Sequence, residues 1–227
     1  MEPKYLLIAT TNQGKFKEIF EILSALDVSR GGNFRVISLR DLCDSEECFA
    51  GDERRFAMSD FDGLEEDGET FSENAVKKAK FYYEKIGLLT VSEDSGIIVS
   101  ALTGELGVKT RRWGEGENAS DEAWIEFFMK RMSSEKDRSA KFVCSACVCG
   151  ENDDGEEVCE VFDGETFGKI TEKIEAPILG GLPLSSCFLP EGREKVYAAL
   201  SADEKNAISH RGKAISKVLE FLKNTDK

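Results

Sequence analysis

The sequence predicts a single α/β chain folded around a mixed sheet, and three observations lead there. Short apolar runs of strand length are mixed with segments of helical period from one end of the chain to the other. The first strand-like run, Lys4 to Thr10, passes through a polar, glycine-containing turn into a stripe of Phe16, Ile19, Phe20, Leu23 and Leu26 at helical spacing. Further on, Ala140 to Cys149 and Glu157 to Phe162 alternate as strands, joined by Glu151 to Gly155, whose Asp154-Gly155 pair is a hairpin signal. A chain of 227 residues can bury a substantial core, and it contains no internal repeat, low-complexity segment or proline-rich linker.

The turn after the first strand, Ala9-Thr10-Thr11-Asn12-Gln13-Gly14-Lys15, aims backbone N–H groups and the positive end of a helix at whatever lies above it. Thr10, Asn12 and Lys15 would add a hydroxyl, an amide and a charge to such an anion site. The spacing is not that of a P-loop, and the alternative is that Asn12 or Thr11 caps the helix while Lys15 is solvated. Phe34 to Leu39 reads as a second strand. Cys43 to Glu69 is acidic and poor in periodicity, which predicts a long surface excursion with Glu66 near its end. Thr70-Phe71-Ser72-Glu73 has the spacing of a capping box, followed by a stripe of Phe71, Ala75, Ala79, Tyr82 and Ile86. Asn74 and Lys78 border that stripe, and a lysine so placed commonly snorkels.

Leu88 to Val91 reads as a short buried strand, Gly96 as its break, and Ile97 to Ala101 as a resumed apolar run. Glu93 and Asp94 then fall at a strand-to-turn junction. They form either a solvated acidic turn or a desolvated pair that needs a cation or a proton. Val108 to Trp113 places Arg111 and Arg112 beside a tryptophan, as an anion contact or an exposed edge. Ser120 to Met132 is an amphipathic helix, and Gly164 to Ile170 is turn-rich strand. A Gly180-Gly181-Leu182-Pro183 loop leads into Ser186 to Leu189. Ser201 to Glu204 is a second capping box, opening a helix with a possible interruption at Ser209 to Gly212. His210, the single histidine, lies at that interruption among Lys205, Arg211 and Lys213.

The net charge of −14 argues against a polynucleotide partner, because such binding draws its affinity from lysines and arginines at phosphates. A small phosphorylated ligand remains compatible, since a cation or a local basic cluster reverses the field inside a cleft. No apolar run approaches the ~20 residues that span a bilayer, and the Met1-Glu2-Pro3-Lys4 start does not resemble a signal peptide. The expected location is the cytoplasm, and the expected state of the seven cysteines is reduced. In Lys141 to Gly150, strand alternation sets Cys144 on the opposite face from Cys147 and Cys149, which is poor zinc geometry and predicts buried strand cysteines.

Four separated stretches together resemble the inosine triphosphate pyrophosphatase family. They are Ala9 to Asn12 with Gly14, Lys15 and Glu18; Thr70 to Ala75 with Lys78; Glu93-Asp94-Ser95-Gly96; and Glu204 to Gly212. They occur in the family's order over nearly the whole chain. The resemblance implies an elongated two-lobed α/β fold around a long mixed sheet, a site in the cleft between the lobes, and a homodimer. It implies hydrolysis of deaminated purine nucleoside triphosphates to monophosphate and pyrophosphate, with magnesium. By the same resemblance Thr10, Thr11, Asn12, Gln13, Gly14 and Lys15 bind the triphosphate with Lys78 nearby, and Asp94 is general base and metal ligand. Glu66 and Glu93 complete the acidic metal set. Lys205, His210 and Arg211 contact the base side of the nucleotide, and Ser95 and Arg112 line the cleft. Magnesium takes oxygen ligands, typically one or two carboxylates with water and phosphate oxygens, which suits this set.

After Gly181 the chain departs from the family. Leu182-Pro183-Leu184-Ser185-Ser186 stands where the family carries two aromatic rings and an aspartate that read the base. Each lost stacking ring removes on the order of 1–3 kcal/mol if nucleic-acid stacking is a guide. Leu182 and Ser185 therefore become the base-side positions, Trp113 the candidate replacement ring, and the base preference less firmly implied than the triphosphate chemistry. Two other readings stand beside the leading one: the same chemistry on a different modified nucleotide, and a nucleotide-binding protein without turnover.

Overall fold

The computed structural model describes residues 4–29, 34–44, 55–116, 118–151 and 155–224. The first half of the chain runs β1 (Lys4–Ile8), α1 (Gln13–Leu23), α2 (Ala25–Ser29), β2 (Phe34–Ser38), α3 (Leu39–Asp44), α4 (Phe71–Ile86) and β3 (Leu89–Val99). The second half runs α5 (Asp121–Met132), β4 (Ser139–Glu151), β5 (Glu157–Ile170), β6 (Phe188–Pro190), α6 (Ala202–Ile208) and α7 (His210–Asn224). The strands form one sheet in the order β2-β1-β3-β4-β5-β6. β1 is parallel to β2 and β3, as helical crossovers require, whereas β3 to β6 pair antiparallel. The mixed α/β sheet expected from the sequence is therefore present.

The caps form as their residues dictate. Thr70 and Glu73 close a reciprocal box at α4, Ser201 and Glu204 do so at α6, and Ser120 caps α5. Gly87 ends α4 in the left-handed conformation. β4 and β5 pair directly as an antiparallel hairpin from Ser139 with Lys169 to Glu151 with Glu157 beside the turn; Asp154 itself lies outside the described residues. At the second capping box the helical stretch breaks at one residue, Ser209, whose extended backbone separates α6 from α7 and whose Oγ accepts from the Gly212 N–H at 2.9 Å.

Two expectations are corrected. β3 runs unbroken through Gly96. The glycine is there because a Cβ would collide with the Gly107 carbonyl and Thr110 Oγ1 of the turn laid across the strand, and the chain does not turn at that point. Glu93 and Asp94 are accordingly mid-strand residues on opposite faces of the sheet. Likewise, the acidic excursion does not stay on the surface throughout. Residues 45–54 lie outside the described ones, but Phe61 is buried against Tyr82, and Glu65, Glu66 and Asp67 reach the wall of a cleft.

The apolar core is divided in two along β3. Val91 packs with Leu6, Ile8, Ile19, Ile215 and Val218 under α1 and α7, while Ile97 and Val99 pack with Trp124, Phe128, Phe142 and Phe188 under α5. The polar stretch Ser92 to Ser95 crosses between these lobes, so the functional groups sit where neither core needs apolar side chains. No helix among the described residues is long and apolar enough to cross a membrane.

Gly164 of β5 lets α7 lie directly on the sheet. A Cβ there would meet the Ala214 amide nitrogen at 2.8 Å as well as the His210 carbonyl. Gly164→Ala is expected to destabilise the protein by about 1–3 kcal/mol, the usual cost of overpacking, and to lower the urea midpoint accordingly.

Candidate active site

A cleft of about 650 Å³ opens between the two lobes. Its floor is β3, and its walls come from the turn after β1, the segment of residues 64–67 with Lys78 of α4, the turn of residues 107–112, the loop at Gly181 and the α6–α7 junction. Asp94 faces α4. Asn74 Nδ2 donates to its Oδ2 at 2.9 Å, and the Ser95 N–H donates to its Oδ1 at 2.9 Å. Asn74 is itself oriented, since its Oδ1 accepts from the Gly68 N–H at 2.8 Å. A carboxylate held on both oxygens this way keeps a defined direction toward the cleft. Burial raises the Asp94 pKa above its ordinary 3.8, against the opposing pull of Lys15, Lys78 and the Asn74 hydrogen bond.

Glu93 lies on the other face of β3 and is 1% exposed. Lys15 Nζ sits 2.7 Å from its Oε1, Arg211 Nε 3.5 Å from its Oε2, and Cys144 Sγ donates to Oε2 at 3.4 Å. Burial by itself would raise the Glu93 pKa, but Lys15, then Arg211 and Lys78, outweigh it and hold the carboxyl well below 4.5. Neighbouring acids need no shared cation here, because alternation turns them apart and each has its own partners. Among the described residues Glu66, Glu93 and Asp94 do not gather into a three-carboxylate cluster; Glu66 and Asp94 line the cleft and Glu93 does not.

The cations are held from behind by acids. Lys78 is buried instead of snorkelling, ion-paired with Glu66 and donating to the Glu93 carbonyl at 3.3 Å. Glu66 and Glu93 keep its pKa raised although burial acts the other way. Glu18, from α1, pairs with Arg211 and, at 2.5 Å, with Lys205. Arg211 Nη2 also donates to Ser95 Oγ at 2.9 Å, and Lys205 Nζ to Ser185 Oγ at 3.3 Å. Thr10, Thr11, Asn12, Lys15, Lys78, Ser95, Arg112, Leu182, Ser185, Lys205, His210 and Arg211 thus all reach the cleft, as the sequence led us to expect. Gln13 and Gly14 are not among its lining residues. Asn12 caps α1 by accepting from the Lys15 N–H at 3.0 Å, and its Nδ2 donates to the Gly181 carbonyl at 3.1 Å. A side chain on Gly14 would strike the Gly180 carbonyl, so its role is to let that loop close over the turn.

Trp113 does not supply the missing ring. It packs edge-on against Trp124, Phe127 and Phe128, away from the lining of the cleft. The aromatic end of the cleft is built from Trp124, Phe142, Tyr197 and His210, with the imidazole stacked on Phe142 at 4.6 Å. Burial, then the Arg211 charge, push the His210 pKa well below 6.5, so the ring is neutral at physiological pH. Trp124 Nε1 and His210 Nδ1 are buried without a hydrogen-bond partner among the described residues. The sequence reading missed Asn74 as a holder of Asp94, although its spacing from Lys78 was a usable signal. Phe142 and Tyr197 carried no local signal at all.

An α/β fold whose interlobe cleft sets a held carboxylate among buried cations defines an enzyme class that works on a small polyanion. The chain belongs to the Ham1 family, whose model matches residues 6–221. It is 34% identical over 231 residues to a dITP/XTP pyrophosphatase of Aquifex aeolicus, covering 98% of each chain. The solved Ham1 protein of Staphylococcus aureus superposes with a TM-score of 0.72 at 32% identity, over 97% of this chain and 98% of that one. A HAM1 protein from Coxiella burnetii gives 0.71 at 26% identity, over 97% and 98%. The family resemblance drawn from the motifs is thereby borne out.

Because Glu93 neutralises Lys15 and shares Arg211 with Glu18, Glu93→Gln is expected to cost about 3–5 kcal/mol at neutral pH. The sign with pH follows from a folded pKa below the unfolded 4.5. The contribution is complete above 4.5 and is lost as pH falls through the lower folded value, where the native side chain also becomes neutral. Urea midpoints of the two proteins should therefore converge in acid.

Proposed function

We propose that this protein hydrolyses deaminated purine nucleoside triphosphates, ITP, dITP and XTP, to the nucleoside monophosphate and pyrophosphate. The observation that carries the reading is Asp94, fixed by Asn74 and the Ser95 amide on the floor of a cation-lined cleft. The names of the relatives support it.

Water adds at the α-phosphorus, the α–β anhydride bond breaks, and pyrophosphate leaves. Asp94 orients the attacking water and accepts its proton, a role that contributes typically 10²–10⁴-fold. Burial raises its pKa and so strengthens it as a base. The Asn12-capped turn and Lys15 meet the phosphates on one side and Lys78 on the other, stabilising charge that develops on the leaving pyrophosphate. Glu66 and Asp94 are hard oxygen donors on one cleft wall and fit magnesium, whereas Glu93 serves as the counter-charge of Lys15 and Arg211. When bound there, magnesium would supply charge neutralisation on the phosphate oxygens.

At the other end the base meets neutral His210, Tyr197 and Phe142 instead of the two rings lost from the loop. Lys205 and the unpartnered Trp124 N–H make this end rich in donors. Donors favour a purine with a carbonyl at C6, an acceptor, over one with an amino group there. The reading includes cytoplasmic action on the nucleotide pool and a homodimer; Ile98 and Phe167, exposed on one face either side of Lys141, offer an apolar surface for the second copy.

The test is pyrophosphate release from ITP, XTP, dITP, ATP and GTP, with magnesium and with chelator. Asp94→Asn should lower kcat by at least about 100-fold while nucleotide binding persists. Turnover that survives this change would refute the assignment of the base, and turnover that persists in chelator would refute the metal.

A further inference from the structure

The cysteines that alternation separates within β4 are rejoined by the neighbouring strand. Cys147 and Cys149 face α4, packed beside Ala75 and Ala79, and Cys159 of β5 stands directly opposite Cys149 in the antiparallel register. The Cys149 and Cys159 sulfurs are 2.9 Å apart, Cys147 and Cys159 are 3.8 Å apart, and all three sulfurs lie within 4.8 Å of one another. None of them lines the cleft. The sequence reading considered β4 alone, where two thiols on one face are too few. The hairpin register supplies the third.

We propose that Cys147, Cys149 and Cys159 form a binding site for a thiophilic cation of the zinc class, separate from the catalytic cleft. Thiolates bound to zinc at about 2.3 Å in a tetrahedron have sulfurs about 3.8 Å apart, the spacing of Cys147 and Cys159, while Cys149 and Cys159 at 2.9 Å would move apart on binding. Two ligands sit two residues apart on one strand and the third on its hydrogen-bonded neighbour, so the backbone holds them before any cation arrives. Cys159 is exposed while the other two are buried, which opens the site on one side and leaves a fourth position for water. Burial raises the thiol pKa of Cys147 and Cys149, that of Cys149 to about 12. Coordination then exchanges three S–H protons for one divalent cation: M²⁺ + 3 RSH + H₂O → [M(SR)₃(OH₂)]⁻ + 3 H⁺. Lys80, whose charge favours the Cys149 thiolate, opposes the resulting negative charge. A cross-strand disulfide would use only two of the three sulfurs and leave Cys147 unexplained.

The experiment is titration of the reduced full chain with cobalt(II), then with zinc(II), in excess magnesium. One equivalent of cobalt should give thiolate-to-metal charge-transfer absorption and the visible bands of a tetrahedral site, displaced by one equivalent of zinc, and zinc should raise the thermal midpoint. Cys159→Ser, an exposed and structurally mild change, should remove the charge-transfer absorption and weaken binding by more than about 10-fold, the loss that even outer partners of a metal cause. Cys43→Ser should leave both unchanged. The proposal is overturned if cobalt produces no charge-transfer absorption, if Cys159→Ser binds as the unaltered chain does, or if mass spectrometry finds a Cys149–Cys159 disulfide forming in the presence of equimolar zinc.

Discussion

A carboxylate buried in the middle of a sheet organises this molecule. Glu93 carries a negative charge where desolvation costs several kcal/mol, and it is kept there by Lys15 from the first helix and Arg211 from the last. Those partners fix the turn after β1 and the start of α7 against the same strand. Arg211 extends the network to Glu18 and Ser95, and Glu18 extends it to Lys205. Three segments far apart in sequence, α1, β3 and the α6–α7 junction, are thus joined by one set of charges, and the cleft opens beside them.

The same network explains how a chain of net charge −14 presents cations to a polyanion. Four cations of the cleft have an acid behind them: Glu93 for Lys15 and Arg211, Glu66 for Lys78, and Glu18 for Lys205. At Lys78 the neighbouring acids outweigh burial and keep its pKa raised, and the paired cations keep their remaining donors for a ligand. Asp94 differs in being held by neutral donors, Asn74 and a backbone amide, so its own charge stays available to a proton. Two adjacent residues of similar chemistry therefore do opposite work, and the pleat of β3 is what separates them.

The caps of α1, α4, α5 and α6 and the β4–β5 hairpin were legible in the sequence, because each is decided by a few neighbouring residues. Gly96 was misread because a glycine that breaks a strand and a glycine that admits a crossing turn look alike until the crossing turn is in place. Trp113 was a reasonable candidate ring, but α5 captures it with Trp124, Phe127 and Phe128. Of the rings that do reach the cleft, Phe142 and Tyr197 come from a cysteine-rich strand and a short turn with no motif around either.

By itself the sequence determined the α/β class, the polar turn that leads from the first strand into a capped helix, and the ordered set of motifs that joins this chain to its family, because these rest on local spacing. It also showed that the base-reading loop had lost its rings and its acid. Only the tertiary structure decided that Glu93 and Asp94 point apart, that Asn74 holds the Asp94 carboxylate, and that Cys159 completes a group begun on another strand. Those facts depend on which strands pair and in what register, and register is set by the packing of the two lobes.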